Sequence, residues 1–331
     1  MGITKAKPPL VIGIGELIWD LLPAGKQLGG APANFAYHAH QLGAESLVVS
    51  CVGSDVLGRE ILALLNRLGM RTDGITINPA APTGTVNVEL DARGKPTFSI
   101  HDHVAWDLLV INEDLSREAK RADAICFGTL GQRHPVARSS IRLMLTMVPP
   151  TALRVFDINL RQQFWSKEQI ATSLKLANVF KLNDEELPIV ARFFDLTGTE
   201  ACQLRQLAEL FELRAVALTK AAKGSLLLVG DKLVSQAATD VVIVDTVGAG
   251  DSYTAALTMG LLAGHEPEQI LECAHSIAGY VCTQPGAMPP MPEALLASQG
   301  SVTRTGASSM TENPSVGIEA CFHLLSGAHQ G

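Results

Sequence analysis

The sequence predicts an α/β fold built on a mainly parallel sheet and carrying a separate β-hairpin. Three observations predict it. From Asp123 onward, short β-branched or apolar runs alternate with helical stretches, as a parallel sheet with crossover helices requires. Between positions 83 and 100 the pattern changes: TGTVNVELD and TFSI each alternate apolar and polar residues on either side of Arg93-Gly94, which reads as a hairpin with one wet and one dry face. The third observation is bulk. A chain of 331 residues, 47% hydrophobic and 18% charged, can bury a large core and is neither disordered nor fibrous.

Taken in order, Leu10–Gly15 is an apolar run that forms a buried strand, and Glu16 to Asp20 follows it. A Pro23/Gly25 turn leads to Gly29-Gly30, whose missing side chains let a ligand approach the backbone. Ala33–Gln41 is helical, stopped by Gly43; Ser46–Val52 is a strand, and Asp55 opens a helix through Leu68. Gly74–Ile77 is strand-like, and Trp106–Val110 returns the chain from the hairpin to the main sheet. Then come a strand at Ala124–Gly128, a helix at Pro135–Met147, and a strand from Val155 into the polar edge Asp157, Asn159, Arg161. Val179–Asn183 runs into an acidic helix start; strands at Ala215–Thr219 and Ser225–Val229 flank a loop; Pro267–Thr283 is a helix. From Pro289 the pattern decays, with one apolar run at Ile318–Leu325 to which no chemistry is assigned. No internal repeat or interdomain linker is visible.

The chain converges on VVIVDTVGAGDSYTAALTMGLLAG, positions 241–264. Val241–Val244 reads as a buried strand, Gly248-Ala249-Gly250 as a turn, and the residues from Ser252 as a helix ended by Gly264. The first amides of a helix lack intrahelical partners, so with the helix dipole they form an anion site. An acid inside a phosphate-sized anion site suits proton handling. The stretch therefore reads as a phosphoryl-transfer centre, with Asp251 as base and Gly248, Ala249 and Gly250 holding the charge of the moving group. Near the N-terminus, Asp20 and Asn34 offer an acceptor and a mixed donor and acceptor beside the bare Gly29-Gly30 backbone, a set suited to a polyhydroxylated ligand. Each also reads locally as a turn acid and a helix-start amide.

The strings DTVGAGD and GGAPANFA, more than 200 positions apart, together resemble the two signatures of the ribokinase-like (PfkB) family of carbohydrate kinases; VGSDxxGRE, DINLR and the N-x-x-E of Asn183 and Glu186 are similar to its weaker motifs. The resemblance, covering roughly residues 10–288, implies a three-layer α/β/α ribokinase-like fold with a mainly parallel central sheet and a small β-sheet lid. It implies a core of residues 1–15, 31–82 and 105–331, a lid of 16–30 and 83–104, and a homodimer through that lid. It further implies an ATP-dependent sugar kinase acting on a primary hydroxyl. The start GELIWDLLPAGKQLGGAPANFAYHA looks most like fructokinases, which convert D-fructose to fructose 6-phosphate; ribose, 2-keto-3-deoxygluconate and nucleosides are the family's other substrates.

On this resemblance the sugar meets Asp20, Gly29, Gly30, Asn34, Asn87, Phe98, Asp157 and Arg161. Asn87 also reads as an outward amide, Phe98 as a core aromatic, and Arg161 as the partner of an acidic neighbour. The nucleotide meets Asn183, Glu186, Thr219, Gly224, Gly248, Gly250 and His275. Mg²⁺ is organised by Glu186 through water, and a monovalent cation such as K⁺ by Asp245, Val247 and Gly286. Asn183 and Glu186 satisfy a helix N-cap equally well. The family has a glycine where this chain has Ala221, which narrows the phosphate groove; Lys220 and Lys223 read as solvated loop lysines.

Other classes are disfavoured. The net charge of −7, with no basic cluster, argues against nucleic acid as a partner. No apolar run crosses a membrane and no signal core precedes LVIGIG, so a soluble, cytoplasmic protein is expected. Six cysteines without C-x-x-C spacing (51, 126, 202, 273, 282 and 321) are expected to be reduced and mostly buried. His38-x-His40 and His101-x-His103 lack the further ligands a metal needs. There is no P-loop and no G-x-G-x-x-G dinucleotide fingerprint. A non-catalytic sugar sensor requires loss of the base or the anion turn, and both are intact.

Overall fold

The computed structural model describes residues 7–22, 25–90 and 96–297. Side chains at 88–98 and 297, and so Phe98, lie outside the description, as do Pro23, the Arg93-Gly94 turn, Cys321 and the run at 318–325. Thirteen strands form two sheets among the described residues: β1 (Leu10–Ile14), β2 (Ile18–Leu22), β3 (Gly25–Gly29), β4 (Glu45–Gly53), β5 (Ile75–Asn78), β6 (Gly84–Leu90), β7 (Pro96–Ile100), β8 (Ala124–Phe127), β9 (Leu153–Asp157), β10 (Val179–Asn183), β11 (Ala215–Thr219), β12 (Ser225–Val229) and β13 (Lys232–Gln236). The helices are α1 (Ala31–Gln41), α2 (Val56–Arg67), α3 (Glu113–Arg121), α4 (Pro135–Met147), α5 (Lys167–Leu176), α6 (Leu187–Phe193), α7 (Glu200–Phe211), α8 (Ala249–Ala263), α9 (Pro267–Cys282) and α10 (Glu293–Ala297).

The large sheet runs β13-β12-β11-β10-β9-β8-β1-β4-β5. Its pairs are parallel from β5 to β11 and antiparallel only where β12 and β13 close the edge. Period-two alternation sorts its side chains into two layers. Leu10, Ile12, Ile125, Phe127, Phe156, Phe180 and Leu182 face α3 to α7, and Val11, Cys126, Val155 and Val179 face α1, α8 and α9. On the first face, three phenylalanines of adjacent strands stack in a ladder: Phe127 on Phe156 at 5.1 Å and Phe156 on Phe180 at 5.5 Å between centroids. The fold is thus three layers, α/β/α, as expected.

The small sheet runs β3-β2-β6-β7. The expected hairpin is its β6–β7 pair, and β2–β3 is a second hairpin joined to it through parallel β2–β6 pairing. Two contacts tie it to the core: Trp19 Nε1 donates to Leu57 O at 3.0 Å, and Lys26 pairs with Glu60 on α2. Helix α4 has the expected bounds, and α9 ends one residue earlier than expected. No described helix is long and apolar enough to cross a membrane. Of the five described cysteines, Cys51 and Cys126 are buried and the other three half-buried, so fewer are buried than expected.

One expectation fails. Val241–Val244 is neither a strand nor buried: Val242 is 83% exposed, Ile243 63% and Val244 61%. Four β-branched residues favour extended backbone, but propensity alone does not make a strand, and the segment joins neither sheet. The segment instead hangs on the end of α9, with Val244 N–H and Asp245 N–H both donating to Cys282 O, at 2.8 and 3.2 Å. The two environments predict opposite mutational costs. Phe156→Ala, removing the middle of the ladder, should lose about 3–5 kcal/mol in urea unfolding, whereas Val242→Ser should stay within about 0.5 kcal/mol of the parent.

Candidate active site

Helix α8 begins where Gly248 takes a left-handed conformation (φ 80°), which a side chain would make costly. A Cβ there would also stand 2.6 Å from Ala287 O. Ala249 N–H turns back to Thr246 O at 3.3 Å, and Ser252 N–H is the first to join the helix ladder, on Gly248 O at 2.8 Å. The N–H groups of Gly250 and Asp251 fall between them, in the first turn, where no intrahelical acceptor exists.

Asp251 sits in that first turn with Asn34, from α1, beside it. Asn34 Nδ2 donates to Asp251 Oδ2 at 2.7 Å across 217 positions of sequence. Asn34 is 4% exposed and its own Oδ1 has no partner. Burial raises the Asp251 pKa to about 6; the Asp157 charge adds to this, while Asn34, Lys181 and Arg161 oppose it. Asp20 lies on β2 against the turn between β3 and α1: a Cβ on Gly29 would stand 2.4 Å from Asp20 Oδ2, so the carboxylate occupies the space that glycine leaves. Burial lifts Asp20 to about 6 as well, against the pull of Arg161. Gly30 has φ 111°, and a Cβ on it would stand 2.5 Å from Glu16 O. Asn87 is half-buried on β6, opposite Leu21 in the pairing of β2 with β6.

The remaining expected residues divide. Arg161 is exposed just beyond β9, donating to Leu160 O at 3.2 Å, so its charge is free to meet a ligand. Asp157 is 5% exposed and both its oxygens are engaged inside the protein: Oδ1 with Lys181 Nζ at 3.1 Å, Oδ2 with Thr254 Oγ1 at 2.7 Å. Asn183 and Glu186 form a reciprocal cap. Asn183 Oδ1 accepts from Glu185 N–H and Glu186 N–H, both at 2.9 Å, while Glu186 Oε2 accepts from Asn183 N–H at 2.8 Å and Oε1 from Leu160 N–H at 2.9 Å. Two donors fill Asn183 Oδ1, whereas each Glu186 oxygen keeps a lone pair, which suits a hydrated divalent cation.

His275 points inward. It is 9% exposed, bonds Ser225 Oγ at 2.8 Å and meets the Tyr253 ring edge-on, so its ring joins a core network rather than the open surface expected for an adenine contact. Thr219 ends β11, half-buried, with Oγ1 on Leu182 O. Gly224 packs where a Cβ would stand 1.9 Å from Gln236 O, and Ala221 takes a left-handed φ of 46° that would suit glycine. Lys220 pairs with Glu200 instead of standing free in solvent. Asp245, Val247 and Gly286 do meet: the Asp245 oxygens accept from Val247 N–H and Gly286 N–H, each at 3.0 Å, and keep the second lone pair of each oxygen for a cation. His38 bonds Ala287 O at 2.8 Å, and no group of three metal-ligating side chains exists among the described residues.

Two residues were missed by the sequence reasoning. Glu16 is 3% exposed with Oε2 unpartnered, and burial lifts its pKa to about 7. Lys181 is 6% exposed in the middle of β10. A lysine inside an otherwise apolar strand buried on both faces was the available signal for Lys181; nothing in the sequence separates Glu16 from an exposed turn acid.

Known proteins resemble this chain along most of its length. A fructokinase of Salmonella typhimurium is 30% identical over 297 residues, spanning 84% of this chain and 95% of its own length. The crystal structure of a sugar kinase from Pyrococcus horikoshii is 27% identical, with a TM-score of 0.76 over 87% of this chain and 97% of that one. A fructokinase from Vibrio cholerae, solved with fructose, ADP and calcium ion bound, is 25% identical, with a TM-score of 0.73 over 88% and 98%. Residues 23–294 match the pfkB family carbohydrate kinase, and the chain belongs to that family, whose members are phosphotransferases with an alcohol group as acceptor.

Proposed function

We propose that this sugar kinase transfers the γ-phosphoryl group of ATP to the primary hydroxyl of D-fructose, giving fructose 6-phosphate. The observation that carries the reading is the 2.7 Å contact between Asn34 and Asp251 at the start of α8, which puts a proton acceptor and unpaired backbone donors within one helical turn. Asn34 occupies Asp251 Oδ2, and Oδ1 is the oxygen assigned to the substrate hydroxyl. As that hydroxyl oxygen bonds to the γ-phosphorus, its proton passes to Oδ1, and the Gly250 and Asp251 N–H groups take the charge that builds on the phosphoryl oxygens. Asp20, the Gly29-Gly30 backbone, Asn34 and Asn87 orient the sugar. Arg161 faces the transferring group. Glu186 holds a hydrated Mg²⁺, which when bound neutralises phosphate charge.

Fructose is favoured over a phosphorylated sugar because Lys26, the cation nearest Asp20 in sequence, is already engaged: it pairs with Glu60 and lies 5.0 Å over the Trp19 ring. The likeness to the Salmonella typhimurium and Vibrio cholerae fructokinases supports the same choice. Arg161 would also suit the carboxylate of 2-keto-3-deoxygluconate, which makes that sugar the second reading.

ADP release with MgATP across fructose, ribose, 2-keto-3-deoxygluconate and adenosine tests the substrate. Turnover should be largest on fructose, and turnover confined to another compound would replace fructose while keeping the chemistry. Asp251→Asn should lower kcat by roughly 10²–10⁴-fold with sugar binding near normal by calorimetry; retention of most of kcat would sink the base assignment. Because the base must be ionised, activity should fall as pH drops through about 6, the value to which burial raises Asp251, and a profile flat from pH 8 to 5 would contradict it.

A further inference from the structure

Asp157 and Lys181 have no part in the chemistry above, yet both are buried against α8. Strand alternation puts them there: Asp157 follows Val155 on β9 and Lys181 follows Val179 on β10, each two places on, so both point to the α8 side of the sheet. β9 and β10 pair with Asp157 opposite Lys181, and the side chains meet at 3.1 Å. The other Asp157 oxygen receives the Thr254 hydroxyl at 2.7 Å, one turn along α8 from Gly250 and Asp251. On its far side, Lys181 Nζ lies against the same turn, 3.3 Å from where a Cβ on Gly250 would stand. An ion pair is thus pressed against the peptide that carries Asp251.

We propose that the Asp157–Lys181 pair is a positioning element for Asp251: it sets the charge that the base faces, and Asp157 does not touch the sugar. The inference rests on the reading of Asp251 as base. The charged and titratable groups around Asp251 are Asp157 on β9, Lys181 on β10, Cys126 on β8, Glu16 after β1 and Arg161 after β9. Of the charges, that of Asp157 is the largest acting on Asp251 and makes it harder to ionise; Lys181 opposes it. Removing one member therefore unbalances the field at the base. A buried pair broken on one side also leaves an uncompensated charge, so the decisive variant is one that keeps the shape and hydrogen bonds of the carboxylate, Asp157→Asn.

The experiment is a pH titration of Asp251 by ¹³C NMR in protein labelled at aspartate Cγ, with the resonance assigned by its loss in Asp251→Asn, run beside kcat against pH and KM for fructose. In Asp157→Asn the midpoint of Asp251 should fall by about one unit, a tenfold change in proton affinity, with the acid limb of kcat moving down by the same amount and KM within about twofold. A midpoint that does not move overturns the inference, as does a large rise in KM, which would make Asp157 a sugar contact. Lys181→Met, which strips the cation, should make the two carboxyls share a proton, seen as one additional aspartate titrating above pH 6; absence of that step also counts against the pair. The NMR midpoint reads the charge coupling whether or not Asp251 is the base. A midpoint that moves while the acid limb stays still would therefore sink the base assignment and leave the coupling standing.

Discussion

One hydrogen bond, 2.7 Å from Asn34 to Asp251, holds the site together, and much of the fold is arranged so that it can form. The two residues belong to helices at opposite ends of the chain, α1 and α8, that pack on the same face of the central sheet. Small side chains assist the approach: Ala39 on α1, and Ala255 and Ala256 on α8, are fully buried in one shared cluster. The contact also solves a chemical problem, since a carboxylate taken out of water needs a donor if it is to remain ionised.

The wider difficulty is crowding of like charge. Asp251, Glu16 and Asp20 have raised proton affinity, each chiefly through burial, and Glu186 is raised too. Among the described residues, Lys181 and Arg161 are the positive charges that act against this group. On the proposed reading, a site that receives anionic phosphates has an excess of acids, and oriented backbone amides rather than a basic field would attract them. The overall charge of −7 points the same way.

How far the sequence discloses this arrangement depends on whether a residue's role is local. The Gly248–Gly250 turn with its acid, and the Gly29-Gly30 pair beside Asp20, are recognisable because only certain residues tolerate φ 80° at Gly248 or a carboxylate 2.4 Å from an added Cβ. The N-x-x-E of Asn183 and Glu186 is ambiguous for a physical reason: the same two residues close a helix cap and can hold a cation, and spacing alone favours neither. Roles assigned by neighbours from distant strands do not show. Val241–Val244 has strand propensity but pairs with no strand, and hangs on the end of α9 instead. His275 is turned to the core by Ser225, 50 positions away. Lys181 looks like a polar interruption in an apolar strand until β9 supplies Asp157. Propensity and turn chemistry are written in adjacent letters; partnership is written in topology.

Strand β3 of the small sheet runs directly into the Gly29-Gly30 turn and then into α1, so Lys26, which ties that sheet to α2, stands only eight positions before Asn34, which bonds Asp251. The small sheet, the glycine turn and the hydrogen-bond partner of Asp251 are successive parts of one short covalent segment. A displacement of the small sheet would therefore reach Asp251 through the backbone itself, as by a lever with its pivot at two glycines.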